Sequence, residues 1–203
     1  MEYNYKFTSG KNIWFTSDIH FNHKNIIKYC QRPWETVDEM NEALIANWNS
    51  VVKKDDTVFI LGDIGFGSVT KTVELVSRLN GHKILLPGNH DREFIHKEEV
   101  RALFDDILPL AYIKIEEFHI YLCHFPFLCF DGAYSGEKAT WQLFGHCHSK
   151  KGSFGLDSQR LIHCYPTQYD VGVDNNNYFP ISFETVKEKI YDQQQSLNLI
   201  REC

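Results

Sequence analysis

Apolar and polar positions alternate in short blocks along this chain, and their period switches repeatedly between that of a strand and that of a helix. Residues 13–17 form an apolar run that ends at Asp18. Val37, Met40, Leu44, Trp48, Val51 and Val52 then follow helical spacing, with Thr36 and Glu39 placed as a capping box. Residues 57–61 predict a buried strand closed by Gly62-Asp63, and residues 69–79 a helix stopped by Asn80-Gly81. Residues 83–86 predict another strand, ended by Pro87-Gly88, and helix-like sequence occupies 93–104. Beyond it strands dominate, at 110–116, 118–124, 142–145, 160–165 and 168–173. Ser182 caps a last amphipathic helix through about Tyr191. A β-α-β-α-β first half and a hairpin-rich second half predict two sheets packed face to face with helices outside.

Composition narrows the class. The 203 residues suit one domain over 1–203 with a substantial core. Aromatic content of 14%, with 12 glycines and 6 prolines, excludes disordered and collagen-like chains. The most apolar run, 118–130, is broken by His119, His124 and Pro126 and is too short and polar to cross a bilayer. The opening Met-Glu-Tyr-Asn-Tyr lacks the basic-then-apolar order of a signal peptide, so the expected location is the cytoplasm. None of the six cysteines forms a C-x-x-C pair, which predicts reduced packing residues. A net charge of −6 argues against a grip on nucleic-acid phosphates. Ten histidines are the compositional oddity.

Those histidines fall into a pattern with acidic residues at predicted strand ends. In order the fragments are Asp18-Ile19-His20, Gly62-Asp63, Gly88-Asn89-His90-Asp91, His124 and Gly145-His146-Cys147-His148. Loops at strand ends converge while the sheet holds them rigid, so sites collect there. In extended backbone residues i and i+2 point the same way, so Asp18 can share a site with His20, and His146 with His148. Glycine before Asp63, Asn89 and His146 permits tight turns. Singly, D-x-H reads as a common structural pattern, Gly-Asp as a turn and His124 as a hydrogen-bonded core histidine. The five fragments in order, each behind an apolar strand, point instead to a shared metal site.

The ordered set D-x-H, G-D, G-N-H-[DE], H and G-H-x-H resembles the signature of the calcineurin-like metallophosphoesterases, filled here from residue 18 to residue 148. The stretch from Phe15 to Ile27 and the Asp170-Val-Gly-Val-Asp174 segment resemble the small stand-alone phage and bacterial members. The resemblance implies an α/β fold, a four-layer α-β-β-α sandwich with two central mixed sheets. It implies two divalent transition-metal ions bridged by Asp63, the first completed by Asp18, His20 and His148. The second would be completed by Asn89, His124 and His146. His90 would act as general acid or phosphate contact, with Asp91 orienting its ring. Phe66 stands where many members carry a further Asp or Arg, so any contribution from that position is missing.

The implied chemistry is self-consistent. Two divalent ions against two carboxylates and a hydroxide leave about one positive charge, which attracts a phosphate to an acidic protein. Such a pair activates water and clamps the attacking and leaving oxygens. Mixed N/O donors suit Mn²⁺, with Fe, Zn²⁺ or Ni²⁺ as alternatives, better than Ca²⁺. His23, Arg32 and Arg92 are candidate substrate contacts, against a solvated-loop reading for the first of them. Phe125, Phe127, Phe130 and Tyr134 line the cleft or pack in the core. Only 32 residues separate Asp91 from His124 and 21 separate His124 from His146, which leaves no room for a large cap. The expected activity is hydrolysis of a small phosphodiester or phosphomonoester, nucleotide-type diesters first. The alternatives are a nuclease, which calls for a basic face, and a non-catalytic scaffold, which calls for missing ligands.

Overall fold

The computed structural model describes residues 2–133, 139–148 and 163–201. Two five-stranded sheets are stacked, with orders β1-β6-β7-β8-β9 and β10-β2-β3-β4-β5. The first comprises Tyr5–Phe7 (β1), Ala111–Ile115 (β6), Phe118–Leu122 (β7), Trp141–Phe144 (β8) and Gln168–Asp170 (β9). The second comprises Ile181–Ser182 (β10), Ile13–Thr16 (β2), Thr57–Ile60 (β3), His82–Leu85 (β4) and Asp106–Ile107 (β5). Each sheet has one antiparallel pair, β6 with β7 and β10 with β2, and is otherwise parallel. The fold is therefore an α/β sandwich with two central mixed sheets, as the sequence pattern and the resemblance predict.

Strand alternation builds both cores at once. Phe59, Leu61, Ile84 and Leu86 face the other sheet, meeting Ile113, Ile120, Leu122 and Leu143. Val58, Ile60 and Leu85, one residue out of phase, face the helices and meet Met40, Leu44, Trp48 and Val76. The helices supplying that layer are Val37–Val51 (α2) and Val69–Ser77 (α3). The capping box of α2 is formed: Glu39 N–H donates to Thr36 Oγ1 at 3.2 Å, and Thr36 N–H donates to Glu39 Oε2 at 3.1 Å. At the other end of the chain, Phe183–Arg201 (α5) contacts β10, β9 and β2, with Phe183, Val186 and Ile190 in the inter-sheet core.

Several elements differ from expectation. The helix predicted over 93–104 shrinks to Glu98–Arg101 (α4), because successive tight turns carry the chain from buried Phe94 to buried Val100. Strands β1, β5 and β10 are too short to show a period in sequence, and Lys24–Tyr29 (α1) has no side-chain cap to announce it. α5 outruns its amphipathic pattern, and Gln193 Nε2 ties it to the carbonyls of Pro166 and Gln168, each at 3.0 Å. Of the strand expected at 160–165, residues 160–162 lie outside the described residues, and 163–165 are not strand. Tyr134 and Cys203 also lie outside them. The five described cysteines are free thiols. Among the described residues no helix is long and apolar enough to cross a membrane.

Phe59 packs at the centre of the inter-sheet layer, stacked on Phe15 at 5.7 Å and edge-on to Tyr5 and Phe7. Phe59→Ala should lower the unfolding free energy by about 3–5 kcal/mol, the range for a buried aromatic replaced by alanine. Urea titration measures this, and a loss below about 1 kcal/mol would show the two sheets repacking freely.

Candidate metal centre

All the strands that carry site residues deliver them from the same end. Asp18 follows β2, Asp63 follows β3, Asn89 follows β4, His124 follows β7 and His146 follows β8. The two sheets join there, since Ser17 bridges Gly172 in parallel and Val173 N–H donates to the Ser17 carbonyl at 3.0 Å. Loops from both sheets therefore close on one spot.

Two groups of ligand atoms face each other here, Asp18 with His20 and His148, and Asp63 with His124 and His146; a third, Cys30 with His148 and Asp174, shares His148 with the first. In the first, His20 Nε2 stands 4.0 Å from Asp18 Oδ1, and His148 Nε2 stands 3.9 Å from that same oxygen. These separations are too long for hydrogen bonds. Two ligands each about 2.1 Å from one ion, by contrast, stand no more than about 4.2 Å apart. Asp18 Oδ1 and His20 Nε2 are buried and have no hydrogen-bond partner. Buried polar atoms are normally paired, so this orphaned pair fits a cation placed between them.

In the second group, His124 Nδ1 lies 2.6 Å from the Leu61 carbonyl and must donate to it. Its Nε2 lone pair then faces Asn89 Oδ1 at 3.2 Å and Asp63 Oδ2 at 3.5 Å. Three acceptors turned on one point again fit a cation. Asp63 Oδ2 also lies 3.7 Å from His20 Nε2, so one oxygen stands between both groups. Burial opposes charge on His124, but a bond from Nε2 to Asp63 and the charges of Asp18 and Asp63 raise its pKa to about 9, so the carboxylates that would hold a cation there draw a proton to the same nitrogen when no cation competes for it. His20, wrapped by burial and by neighbouring histidines and Arg32, is held well below its usual value.

The backbone is unusual where these side chains leave it. Asp18, His20, Asp63, His146 and His148 all have positive φ, between 45° and 69°. The extended i, i+2 geometry expected for D-x-H and H-x-H is thus absent. Left-handed turns separate His146 from His148, which serve different groups. Non-glycine residues resist this conformation, and it persists only where surroundings over-determine it. Main-chain bonds supply the restraint: Asp18 N–H to the Gly62 carbonyl, and His20 N–H to the Asp63 carbonyl, each at 3.0 Å. The glycines expected at the turns are required by close approach, since a Cβ on Gly88 would lie 2.2 Å from Asp63 Oδ1.

A scan of family models matches residues 11–158 to the calcineurin-like phosphoesterase family. The chain belongs to that family. It is 35% identical over 184 residues to "Uncharacterized protein MJ1445" of Methanocaldococcus jannaschii, covering 90% of this chain and 93% of that one. It is 31% identical over 188 residues to the "Gene 66 protein" of Mycobacterium phage L5, covering 80% and 86%. Among solved structures, the protein of unknown function AQ665 from Aquifex aeolicus superposes with a TM-score of 0.66 at 26% identity, covering 87% of this chain and 97% of that one.

Within this calcineurin-like frame, two expected roles change, those of Arg32 and Asp91. Arg32 was a candidate phosphate contact, but it is 4% exposed and its guanidinium is consumed internally. Nε and Nη2 each donate to Asp174 at 2.9 Å, while Nη1 and Nη2 donate to the carbonyls of Ile19 (2.9 Å) and Asp18 (2.8 Å). It pins the left-handed loop instead of meeting substrate. Asp91, expected to orient the His90 ring, holds main chain: its carboxylate accepts N–H bonds from Asp63 (2.7 Å), Gly88 (2.8 Å) and Ile64 (3.0 Å). The aromatic run splits. Phe127 and Phe130 pack on Tyr121, while Phe125 lies edge-on to His124 and His146.

His90 is exposed at the mouth, its ring 5.4 Å from that of His20, and its N–H donates to Asp63 Oδ1 at 2.9 Å. His23 is half-buried beside it, with ring centroids 6.1 Å apart, and Arg92 is exposed on the turn after Asp91. Asp174 is the polar residue to which sequence reasoning gave no role. His148 Nδ1 donates to its Oδ2 at 2.8 Å, which leaves Nε2 facing Asp18. A carboxylate behind a ligating histidine fixes its tautomer and ring orientation. Burial opposes ionisation of Asp174, but Arg32 and His148 hold its pKa near 2. Its position after an apolar strand-like run is the same signal that marks Asp18 and Asp63.

Arg32 and Asp174 are both fully buried, so removing one charge strands the other. Asp174→Asn should lower the unfolding free energy by about 3–5 kcal/mol. Denaturant titration tests this, and a change below about 1 kcal/mol would mean that Arg32 finds another partner.

Proposed function

We propose that this chain is a dinuclear metal-dependent phosphohydrolase acting on small phosphoesters, nucleotide-type phosphodiesters first. The observation that carries the reading is Asp63 Oδ2, placed 3.7 Å from His20 Nε2 and 3.5 Å from His124 Nε2. One carboxylate between two ligand groups is the arrangement that two neighbouring ions share. Asp18, His20 and His148 would hold one ion with Asp63; Asn89, His124 and His146 would hold the other. Mn²⁺ is the first choice, with Fe, Zn²⁺ or Ni²⁺ also suited to this N/O donor set. Divalent ions held there supply Lewis acidity, drawing in the phosphate and activating water for attack.

The chain's own residues do the rest. Leu61 and Asp174 fix the tautomers of His124 and His148, so both present Nε2. Asp91 clamps the N–H groups of Asp63 and Gly88, holding the two ligand loops in register. His90, exposed beside the centre, donates a proton to the leaving oxygen. The net charge of −6 and the short inter-motif segments favour small substrates over long nucleic acid.

Metal analysis of protein saturated with Mn²⁺ should give two equivalents, and EDTA should abolish hydrolysis of bis(4-nitrophenyl) phosphate until metal is restored. A single equivalent at saturation contradicts the paired site. Two variants separate the roles of the histidines. His124→Ala should lower metal content and activity together, with partial rescue by excess metal. His90→Asn should keep both ions but slow turnover by about 10²–10⁴-fold, less for substrates with good leaving groups. Loss of metal from His90→Asn, or an unchanged rate with a poor leaving group, would overturn its assignment.

A further inference from the structure

Large exposed apolar side chains gather around the metal centre. Three of them, Phe66, Phe125 and Tyr29, have rings in contact with site histidines or with His23. Single exposed apolar residues are ordinary, whereas a group at the rim of a polar site marks a surface kept for binding. Phe66 is the best placed. It is 42% exposed and lies face to face with His23, with centroids 4.3 Å apart and planes 15° from parallel.

Its position is fixed by backbone, since Phe66 N–H donates to the Phe21 carbonyl at 2.8 Å and Gly65 bridges Phe21. The next residue leaves room, because a Cβ on Gly67 would meet nothing within 4 Å. The order of rings runs outward from the ligands. His20 lies 5.4 Å from His90, and His90 lies 5.6 Å from Phe66. A phosphate at the ligand groups, with its leaving oxygen at His90, therefore directs the attached organic group toward Phe66.

We infer that Phe66, backed by His23, is a stacking subsite for the nucleobase of a nucleotide-type phosphoester. The inference rests on the phosphohydrolase reading for where the phosphate sits, and it adds what the rest of the substrate must be. Phe125 stands edge-on to His124 and His146, whereas the paired planes of Phe66 and His23 form a flat stack that a base can extend. Base-on-aromatic stacking carries an affinity gain of about ten-fold or more and tolerates different bases.

The test is calorimetric binding of adenosine 5′-monophosphate and ribose 5-phosphate to Mn²⁺-loaded protein. The two share phosphate and sugar and differ in the base. The wild type should bind the adenosine compound about ten-fold more tightly. Phe66→Ala and Phe66→Leu should bind the two compounds with equal affinity, while Phe66→Trp should keep the preference. Equal binding by the wild type, a preference surviving in Phe66→Ala, or no binding of either compound would overturn the subsite. Hydrolysis of bis(4-nitrophenyl) phosphate, measured alongside, reports on the reaction separately. Its absence with the base preference intact would remove the hydrolase reading and leave the subsite standing.

Discussion

Asp63 is a buried carboxylate with imidazole nitrogens on two sides and the His90 main-chain N–H behind it, and the architecture around the centre follows from holding it there. Its Oδ1 is engaged by the His90 N–H at 2.9 Å, which leaves Oδ2 turned toward His20 and His124. Its own N–H is held by Asp91 at 2.7 Å. An ionised carboxylate in this setting is stable only while every neighbour compensates it, because burial alone favours the protonated form. Burial does oppose ionisation of Asp63, yet its bond to His124 and the charges nearby keep its pKa below the usual carboxylate value. The strand ends, the left-handed turns and the close glycines all serve to bring those neighbours within reach.

The means of holding them differ between the two ligand groups. Around Asp63 and His124, restraint comes from main chain: the Leu61 carbonyl fixes the imidazole, and the Asp91 carboxylate collects three N–H groups. Around Asp18 and His148, restraint comes from a buried ion pair that crosses from one sheet's loops to the other's. Arg32 binds the carbonyls of Asp18 and Ile19 with one side of its fork and Asp174 with the other, while Asp174 receives His148. Guanidinium suits this task because five N–H donors lie in one plane. A lysine there would offer its three donors from a single nitrogen, without the planar fork that reaches the two carbonyls and both Asp174 oxygens together.

Much of this was legible in the sequence because strand ends carry a local signature. Asp18, Asp63, Asn89, His124 and His146 each follow an apolar run whose period gives the strand, and the three turn glycines, Gly62, Gly88 and Gly145, directly precede ligands. The capping box of α2 and the Ser182 cap of α5 are equally local, and both are formed. What the sequence hides is long-range. Arg32 and Asp174 are 142 positions apart, and a surface-looking arginine near a ligand loop carries no mark of the carboxylate it will meet in the core. Asp91 beside His90 suggests a dyad until the turn is folded and its oxygens prove to be filled by backbone. Strands of two or three residues, such as β5 and β10, exist only because a neighbouring strand is already in place.

The same distinction explains the left-handed residues. No propensity in Asp-Ile-His or His-Cys-His predicts positive φ at both outer positions, and extended backbone is the natural first expectation. Extended chain would keep the i and i+2 side chains on one face and aim His146 and His148 at a single point. The folded turns send them to different groups, so the four-residue fragment serves both sides of Asp63 at once. Backbone strain of order 1–3 kcal/mol per residue is tolerable here because each loop leaves a parallel strand and is held by bonds to its main chain, Asp18 N–H to the Gly62 carbonyl, His20 N–H to the Asp63 carbonyl and His146 N–H to Asp18 Oδ2. Ile19 and Cys147, the residues between, are both buried, and Ile19 packs in the core that faces the helices. The buried middle residue of each motif thus adds to the main-chain bonds that hold an unfavourable backbone, and the ligand geometry depends on both.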